Sequence, residues 1–521
     1  MKERFFNLFK DGAWKIAVIS AVILILELTF IRLIPAEVRA ISYFTNLLLM
    51  AAFFGLGLGC ILQKRRSVGW LLPVGLALVA GFIYFGRGLV IYDEAAAVHF
   101  WLQYEEVLGQ ARRLPIFFSA AAAFIFGALP FVALGQKLAR TMDRYPRLIA
   151  YSWDIFGSLL GTILFLTTSF LEMPPWIWPV AVAVLWAIIF SEKWIFRAAV
   201  LGAGFLFLLF LQSDYEARWS PYYLIQFQQE KLGLRVYVNS SFHQLAVDFV
   251  SRDAALSAMQ EQIMKKFSIP YEIYKNYHKG EAPKKVLILG AGTGNDAVVA
   301  LQNGAKEITA VDIDPVILEL GKKYNMAKPY DDKKVRTVVD DARHFIKSTK
   351  EKYDLIILGT LDSQTLLSGQ TNLRLENYVY TREAFLDMKE RLADKGVLGA
   401  YYSVFRDKSS WLFGRLFKTV EEAFGAETKI FIVTNSDFLF NTIIVGTKGI
   451  SDFSLAQDSS GAVSPEMAAT DDWPFLYLEK PTISPLYLKL FGLILVLIFG
   501  VFLLLKKFQP ADGAKLNFLF F

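Results

Sequence analysis

Over residues 1–211 the apolar positions fall in long runs separated by short polar segments; over 212–482 they fall in short stretches between charged and turn-forming residues. A helix needs about 20 apolar residues to cross a bilayer. That criterion predicts seven helices near 14–36, 40–62, 69–91, 114–136, 149–171, 174–190 and 195–211, and an eighth near 483–505. The sixth and seventh are the shortest and read as a tight hairpin. Leu516–Phe521 open another apolar run that stops abruptly, as expected of a piece of a longer protein. Gly55, Gly57 and Gly59 read as a close helix–helix contact. Glu27, Arg32, Arg87 and Asp154 lie within runs, where a charge needs a partner or a water-filled cavity. Pairing of Glu27 with Arg32 is the favoured reading; a pocket for a polar or lipid-linked substrate is the other.

The polar half begins with β-prone runs, YYLIQF, LRVYV and QLAVDFV, broken at Asn239–Ser241. They predict a small antiparallel subdomain, followed by a helix near 252–277. From Lys284 strands and helices alternate. Strands are expected at 286–289, 308–312, 335–339, 354–358, 397–403, 429–434 and 438–446, and helices near 295–303, 315–324, 341–349, 381–393 and 411–423. This pattern predicts a Rossmann-like, doubly wound α/β sheet. The expected organisation is a transmembrane domain of about seven helices over 1–211 and a β-subdomain with linker helix over 212–282. The Rossmann-like domain follows at 283–450, then a linker at 451–482 and a C-terminal transmembrane helix within 483–521.

Composition supports this division. The chain is 54% hydrophobic, with 55 Lys and Arg against 49 Asp and Glu, a net charge of +6. Much of the positive charge flanks the apolar runs and bears on membrane orientation; no basic patch interleaved with aromatics suggests nucleic acid. The single cysteine, Cys60, provides no disulfide framework, and the four scattered histidines have no metal-ligand spacing, so no metal is expected. Lys2, Arg4, Lys10 and Lys15 place the N-terminus in the cytoplasm. With seven crossings the polar domain would then lie outside the cytoplasm, and Lys506–Lys507 argue for the same side. An adenosyl-sulfonium compound is made inside, so this orientation conflicts with the cofactor expected below.

The candidate chemistry centres on VLILGAGTGND, Val286–Asp296. A buried strand leads into Gly290, Ala291, Gly292, Thr293 and Gly294, then into a helix. The glycines allow close backbone approach to a ligand, and free N–H groups are expected at the helix start. Asp312 follows Gly290 by twenty-two residues, at the end of the next strand, where an acid accepts hydrogen bonds from ribose hydroxyls. A dinucleotide fingerprint would have a third glycine or alanine at 295; Asn295 stands there, which favours a cofactor of the S-adenosylmethionine kind over NAD. Asp341, after the third strand, is a candidate partner for an adenine amino group or an N-cap for the helix beginning at Ala342. Asp362, in GTLDSQTLLSGQT, is the candidate for substrate orientation or proton removal, with Tyr380 and Glu383 in reserve.

Over about 215–445 these features resemble the spermidine synthase (polyamine aminopropyltransferase) family and, more broadly, class I S-adenosylmethionine-dependent methyltransferases. The segments GAGTGND, VDIDP, DDAR, LDSQT, LENYVYT, LADKGVL and TDDWPFLYL carry the likeness, and the preceding apolar runs resemble its membrane-fused branch. The resemblance implies a cofactor crevice made by Gly290, Ala291, Gly292, Thr293, Gly294, Asp312, Ile313, Asp341 and Ala342. Soluble members carry an acid where this chain has Thr293, their catalytic Asp where it has Gly359, and a Gln where it has Tyr223; Asp362 alone matches the second acid of their catalytic loop.

The expected function is therefore an integral membrane transferase. It would bind S-adenosylmethionine or its decarboxylated form and pass a methyl or aminopropyl group to a small-molecule or membrane-associated acceptor. The bilayer is its expected partner, and the sequence admits an oligomer. The alternative is an extracytoplasmic Rossmann-like domain acting on glycan, lipid-linked or polyamine ligands without this cofactor, or a non-catalytic module of a membrane complex.

Overall fold

The computed structural model describes residues 12–42, 44, 46–87, 116–189, 193–210, 216–251, 254–359, 361, 375–404, 411–425, 428–434, 440–449, 466–476 and 485–507. Helices occupy all eight apolar positions. They are α1 (Trp14–Glu37), α2 (Asn46–Ile61), α3 (Leu71–Gly86), α4 (Ile116–Met142), α5 (Arg147–Phe170), α6 (Ile177–Ile189) and α7 (Trp194–Phe210); the one near the C-terminus is Pro485–Lys507. The second expected helix is divided, with a short piece at Arg39–Ser42 before α2. Three of the described helices, α1, α4 and α5, are long and apolar enough to cross a membrane.

α1 is apolar on every side and is buried almost throughout, as suits a central helix. α5 instead turns Leu148, Tyr151, Ile155, Leu159 and Ile163 outward. Its other face meets α1 at backbone contact: a Cβ on Gly157 would lie 2.1 Å from the Ala17 carbonyl oxygen, and one on Gly161 2.6 Å from that of Ala21. Gly55 and Gly59 press on α4 in the same way, whereas Gly57 faces open space and takes no part in the expected contact. The expected Glu27–Arg32 pair does not form. Glu27 is buried within the bundle, and Arg32 reaches out of it to the Ser220 carbonyl. Arg87 pairs with Glu37 at 2.9 Å, and Asp154 accepts from Ser20 Oγ at 2.5 Å.

The polar half has two sheets. β1 (Glu216–Trp219), β2 (Leu224–Glu230), β3 (Gly233–Val238) and β4 (Ser241–Val247) form an antiparallel meander. After α8 (Ala254–Tyr277) come β5 (Lys285–Leu289), α9 (Asn295–Gln302), β6 (Glu307–Asp312), α10 (Pro315–Tyr324), β7 (Val335–Val339), α11 (Ala342–Ser348) and β8 (Tyr353–Leu358). They continue through α12 (Arg382–Arg391), β9 (Leu392–Val404), α13 (Trp411–Phe424), β10 (Thr428–Thr434) and β11 (Phe440–Thr447). The large sheet has the order β10-β11-β9-β8-β5-β6-β7. Five strands are parallel, but β11 enters antiparallel between β9 and β10, so the sheet is mixed. β5 is buried on both faces, Val286 and Ile288 packing toward α8 and α9, Leu287 and Leu289 toward α11 to α13. β9 starts five residues earlier than expected, at Leu392, because that residue pairs with Tyr353 across a register shift.

The meander packs on α10 through Ile225, Phe227, Val236, Val316 and Leu320, and its Trp219 and Leu224 join the helix-bundle core. Gly157→Ala is expected to destabilise the chain by about 1–3 kcal/mol through overpacking, whereas Gly202→Ala, with nothing within 4 Å, should be neutral or stabilising. Thermal unfolding in detergent distinguishes them.

Candidate active site

Chain direction across the sheet reverses between β5 and β8: β6 and β7 lie on one side, β9 on the other. Such a switch point leaves a crevice at the carboxyl ends of the strands. Its floor is Gly290–Gly294. Gly290, Gly292 and Gly294 have φ of 79°, 55° and 100°, values that favour glycine. The N–H groups of the loop itself are committed within the protein. Those of Gly290 and Ala291 donate to Val311 O, that of Gly292 to Asp312 Oδ2, that of Thr293 to Gln244 Oε1 and that of Gly294 to Ala291 O. Beneath the loop, Tyr330 Oη donates to the carbonyls of Ala291 and Gly292, and Asn325 Nδ2 to that of Thr293. A loop whose amides are already spent this way has few donors left for a pyrophosphate.

Asp312 ends β6. One carboxylate oxygen accepts Gly292 N–H at 2.8 Å and the other accepts Asp314 N–H at 2.9 Å, so each retains accepting capacity. Burial pushes its pKa up to about 6, against the lowering effect of the Asp314 and Gly292 amides. Ile313 is half-buried next to it. Asp341 is the N-cap of α11, its Oδ1 accepting His344 N–H at 2.8 Å, and Ala342 is the buried first residue of that helix. Asp340 is engaged by Asp341 N–H and His344 Nδ1. Above Gly290 lies Leu361, 2.1 Å from where a Cβ would stand, and Leu361 N–H donates to Tyr380 Oη. Asp362 lies outside the described residues. Glu383 belongs to a structural network, accepting from Arg382 and from Asp471 N–H.

Three site residues carry little sequence signal. Gln244, on β4, accepts from Thr293 N–H and Oγ1, and its Nε2 is buried without an acceptor. Asn295, in the third-glycine position, pairs with the β4 backbone through Val247 N–H and Leu245 O. This explains why the fingerprint breaks there: the side chain docks the meander onto the loop. Tyr222 is 42% exposed in the turn before β2. Burial and then the fields of Asp314, Asp341 and Asp340 raise its pKa.

In sequence this α/β domain is spermidine synthase-like. Residues 267–435, from within α8 to the end of β10, match the family model described as the spermine/spermidine synthase domain. The polyamine aminopropyltransferase of Korarchaeum cryptofilum is 31% identical over 147 residues, 28% of this chain and 43% of that protein. That of Thermoplasma volcanium is 28% identical over 132 residues, 25% of this chain and 43% of that protein. The chain thus spans less than half the length of these relatives. The crystal structure of spermidine synthase from Thermotoga maritima aligns at 16% identity and a TM-score of 0.33, covering 54% of this chain and 86% of that one.

Gln244→Ala leaves the Thr293 N–H without its acceptor and is expected to lower stability by about 1–3 kcal/mol. Gln244→Glu, which keeps the acceptor, should lose less. Chemical denaturation of the two variants checks the difference.

Proposed function

We propose that this domain binds decarboxylated S-adenosylmethionine in the crevice above Gly290–Gly294 and transfers its aminopropyl group to an amine. The supporting observation is the Asp312 carboxylate, fixed by two backbone amides on the floor of a crevice whose loop amides are otherwise committed. Such a site fits an uncharged ribose better than a phosphate. The unpartnered Gln244 Nε2 and the glycine floor also fit a nucleoside. Asp312 would accept both ribose hydroxyls, and Asp341 would face the adenine. The sulfonium donor supplies an electrophilic carbon whose bond to sulfur breaks with its electrons leaving on sulfur. The chain's task is then to align the amine and take its proton. Asp362 is the residue proposed for that step, since Gly359 cannot do it. Methyl transfer, the other reaction expected from sequence, has no support from the family match and is left to the test.

The same proposal puts the helix bundle in a bilayer, with the outward apolar faces of α5 and of Pro485–Lys507 against lipid and the amine arriving from solution or the membrane surface. On the strength of the flanking charges, the proposal has the polar domain on the non-cytoplasmic side, where the donor would have to be delivered. A reporter fused after residue 482 reads the side directly.

Isothermal titration of the full chain in detergent, with decarboxylated and unmodified S-adenosylmethionine, tests the donor. Hydroxyl donors bind the ionised acid more tightly, so donor affinity should be full above the Asp312 pKa of about 6 and fall as pH drops through it. Asp312→Asn is expected to weaken binding about tenfold at neutral pH and to flatten that profile. Fold stability runs the other way: because the folded pKa is raised from 3.8, this group's contribution is present below 3.8 and lost as pH rises through about 6. Absence of binding by either compound would overturn the proposal.

A further inference from the structure

α1 belongs to the apolar bundle, yet its Arg32 leaves that environment. The guanidinium lies 5.4 Å from the ring centre of Trp178, on α6, and 5.1 Å from that of Trp219, at the end of β1. The two indoles meet edge to face at 6.4 Å, so they form a corner around the cation. Nη2 donates to the carbonyl oxygen of Ser220, a residue with no exposed surface. Arg32 Nε is buried without an acceptor. Burying an unsatisfied donor is unfavourable, so hydrogen-bond satisfaction alone does not explain this placement.

Ser220 organises a tight turn. Its Oγ accepts the N–H of Tyr222 at 3.1 Å and of Tyr223 at 2.9 Å, while its own N–H donates to Tyr223 O at 2.9 Å. The turn is seated on the first turn of α10, because Tyr223 packs against the apolar cluster that holds Ile225, Val316 and Ile317. Asp314 lies two residues beyond Asp312 and donates its N–H to it. One path therefore runs from the bundle, through one guanidinium and the Ser220 turn, to the start of α10 beside Asp312.

We propose that Arg32 is a positioning residue for the crevice, holding the Ser220–Tyr223 turn against the first turn of α10, which follows Asp312 and Asp314 directly. This rests on the donor-binding reading above for its consequence, but not for the turn itself. The bundle is then part of the site's architecture, and not only an anchor for it. Two further ties keep the meander in register with the bundle: Ser240 Oγ donates to Ala36 O at 2.9 Å, and Arg218 bridges Glu172 and Glu319 at 2.9 and 2.8 Å. Neither reaches the Ser220 turn.

The test uses the full chain in lipid nanodiscs with Arg32→Met, and with Ser220→Ala, which removes the turn's acceptor without touching α1. Hydrogen exchange at the Tyr222 and Tyr223 amides is read beside the affinity for decarboxylated S-adenosylmethionine. Both variants are expected to speed exchange at these two amides, leave the β5–β8 core protected, and weaken donor binding about tenfold. Unchanged exchange at 222 and 223 in Arg32→Met overturns the proposal. So does faster exchange with unchanged affinity, which would leave Arg32 a purely structural tie. If the unaltered chain binds no donor, the donor reading falls, and the exchange result alone decides whether Arg32 holds the turn. If Arg32→Met does not fold, Ser220→Ala decides whether the turn governs the crevice, and Arg32→Lys carries the exchange measurement.

Discussion

The hydrogen bond from Gly292 N–H to Asp312 ties the ends of two neighbouring parallel strands, β5 and β6, beside the point where the strand order reverses. It needs Gly292 at positive φ, β5 and β6 in register, and a carboxylate held partly out of water. Once it forms, the turn after β5 has one shape, and the amides that could have met a phosphate are turned inward. Ionising Asp312 at neutral pH opposes folding, because burial raises its pKa. The rest of the domain compensates through the apolar packing of β5 on both faces and the Tyr330 and Asn325 bonds beneath the loop.

The meander and the helix bundle depend on the same loop from the other side. Gln244 and Asn295 clamp β4 to it, α10 carries the meander's apolar face, and Trp219 joins the core of the bundle. A domain that could have hung from the helix bundle by a linker is instead packed onto it. The 360 Å³ cavity lined by Glu37, Glu172, Trp176, Trp219 and Gln226 sits at this junction, away from the glycine crevice.

Periodicity made most of the fold legible in the sequence. Strands buried on both faces read as continuous apolar runs, as in VLIL, and the helices between them announce their caps, Asp314 with Pro315 and Asp341 before Ala342. The antiparallel entry of β11 was not legible, since strand order is a long-range property that two short apolar runs do not encode. The glycine loop and Asp312 were legible because the turn between β5 and α9 requires glycine at positive φ and an acid at the end of the neighbouring strand closes it. Gln244 was not: it acts through tertiary contact from a strand forty-six residues before Gly290, and nothing local marks it. Arg32 was visible as a charge in an apolar run, but the partner expected for it, Glu27, lay on its own helix, whereas the actual partners are Ser220 and two indoles.

The most direct test of the account is a structure of the full chain with 5′-methylthioadenosine, the nucleoside that aminopropyl transfer leaves behind. The account predicts both ribose hydroxyls about 2.7 Å from the Asp312 carboxylate, with the nucleoside lying over Gly290–Gly294 and Leu361 displaced from Gly290. A nucleoside found in the Glu37–Trp219 cavity, or a crevice still closed by Leu361 at saturating ligand, would contradict it.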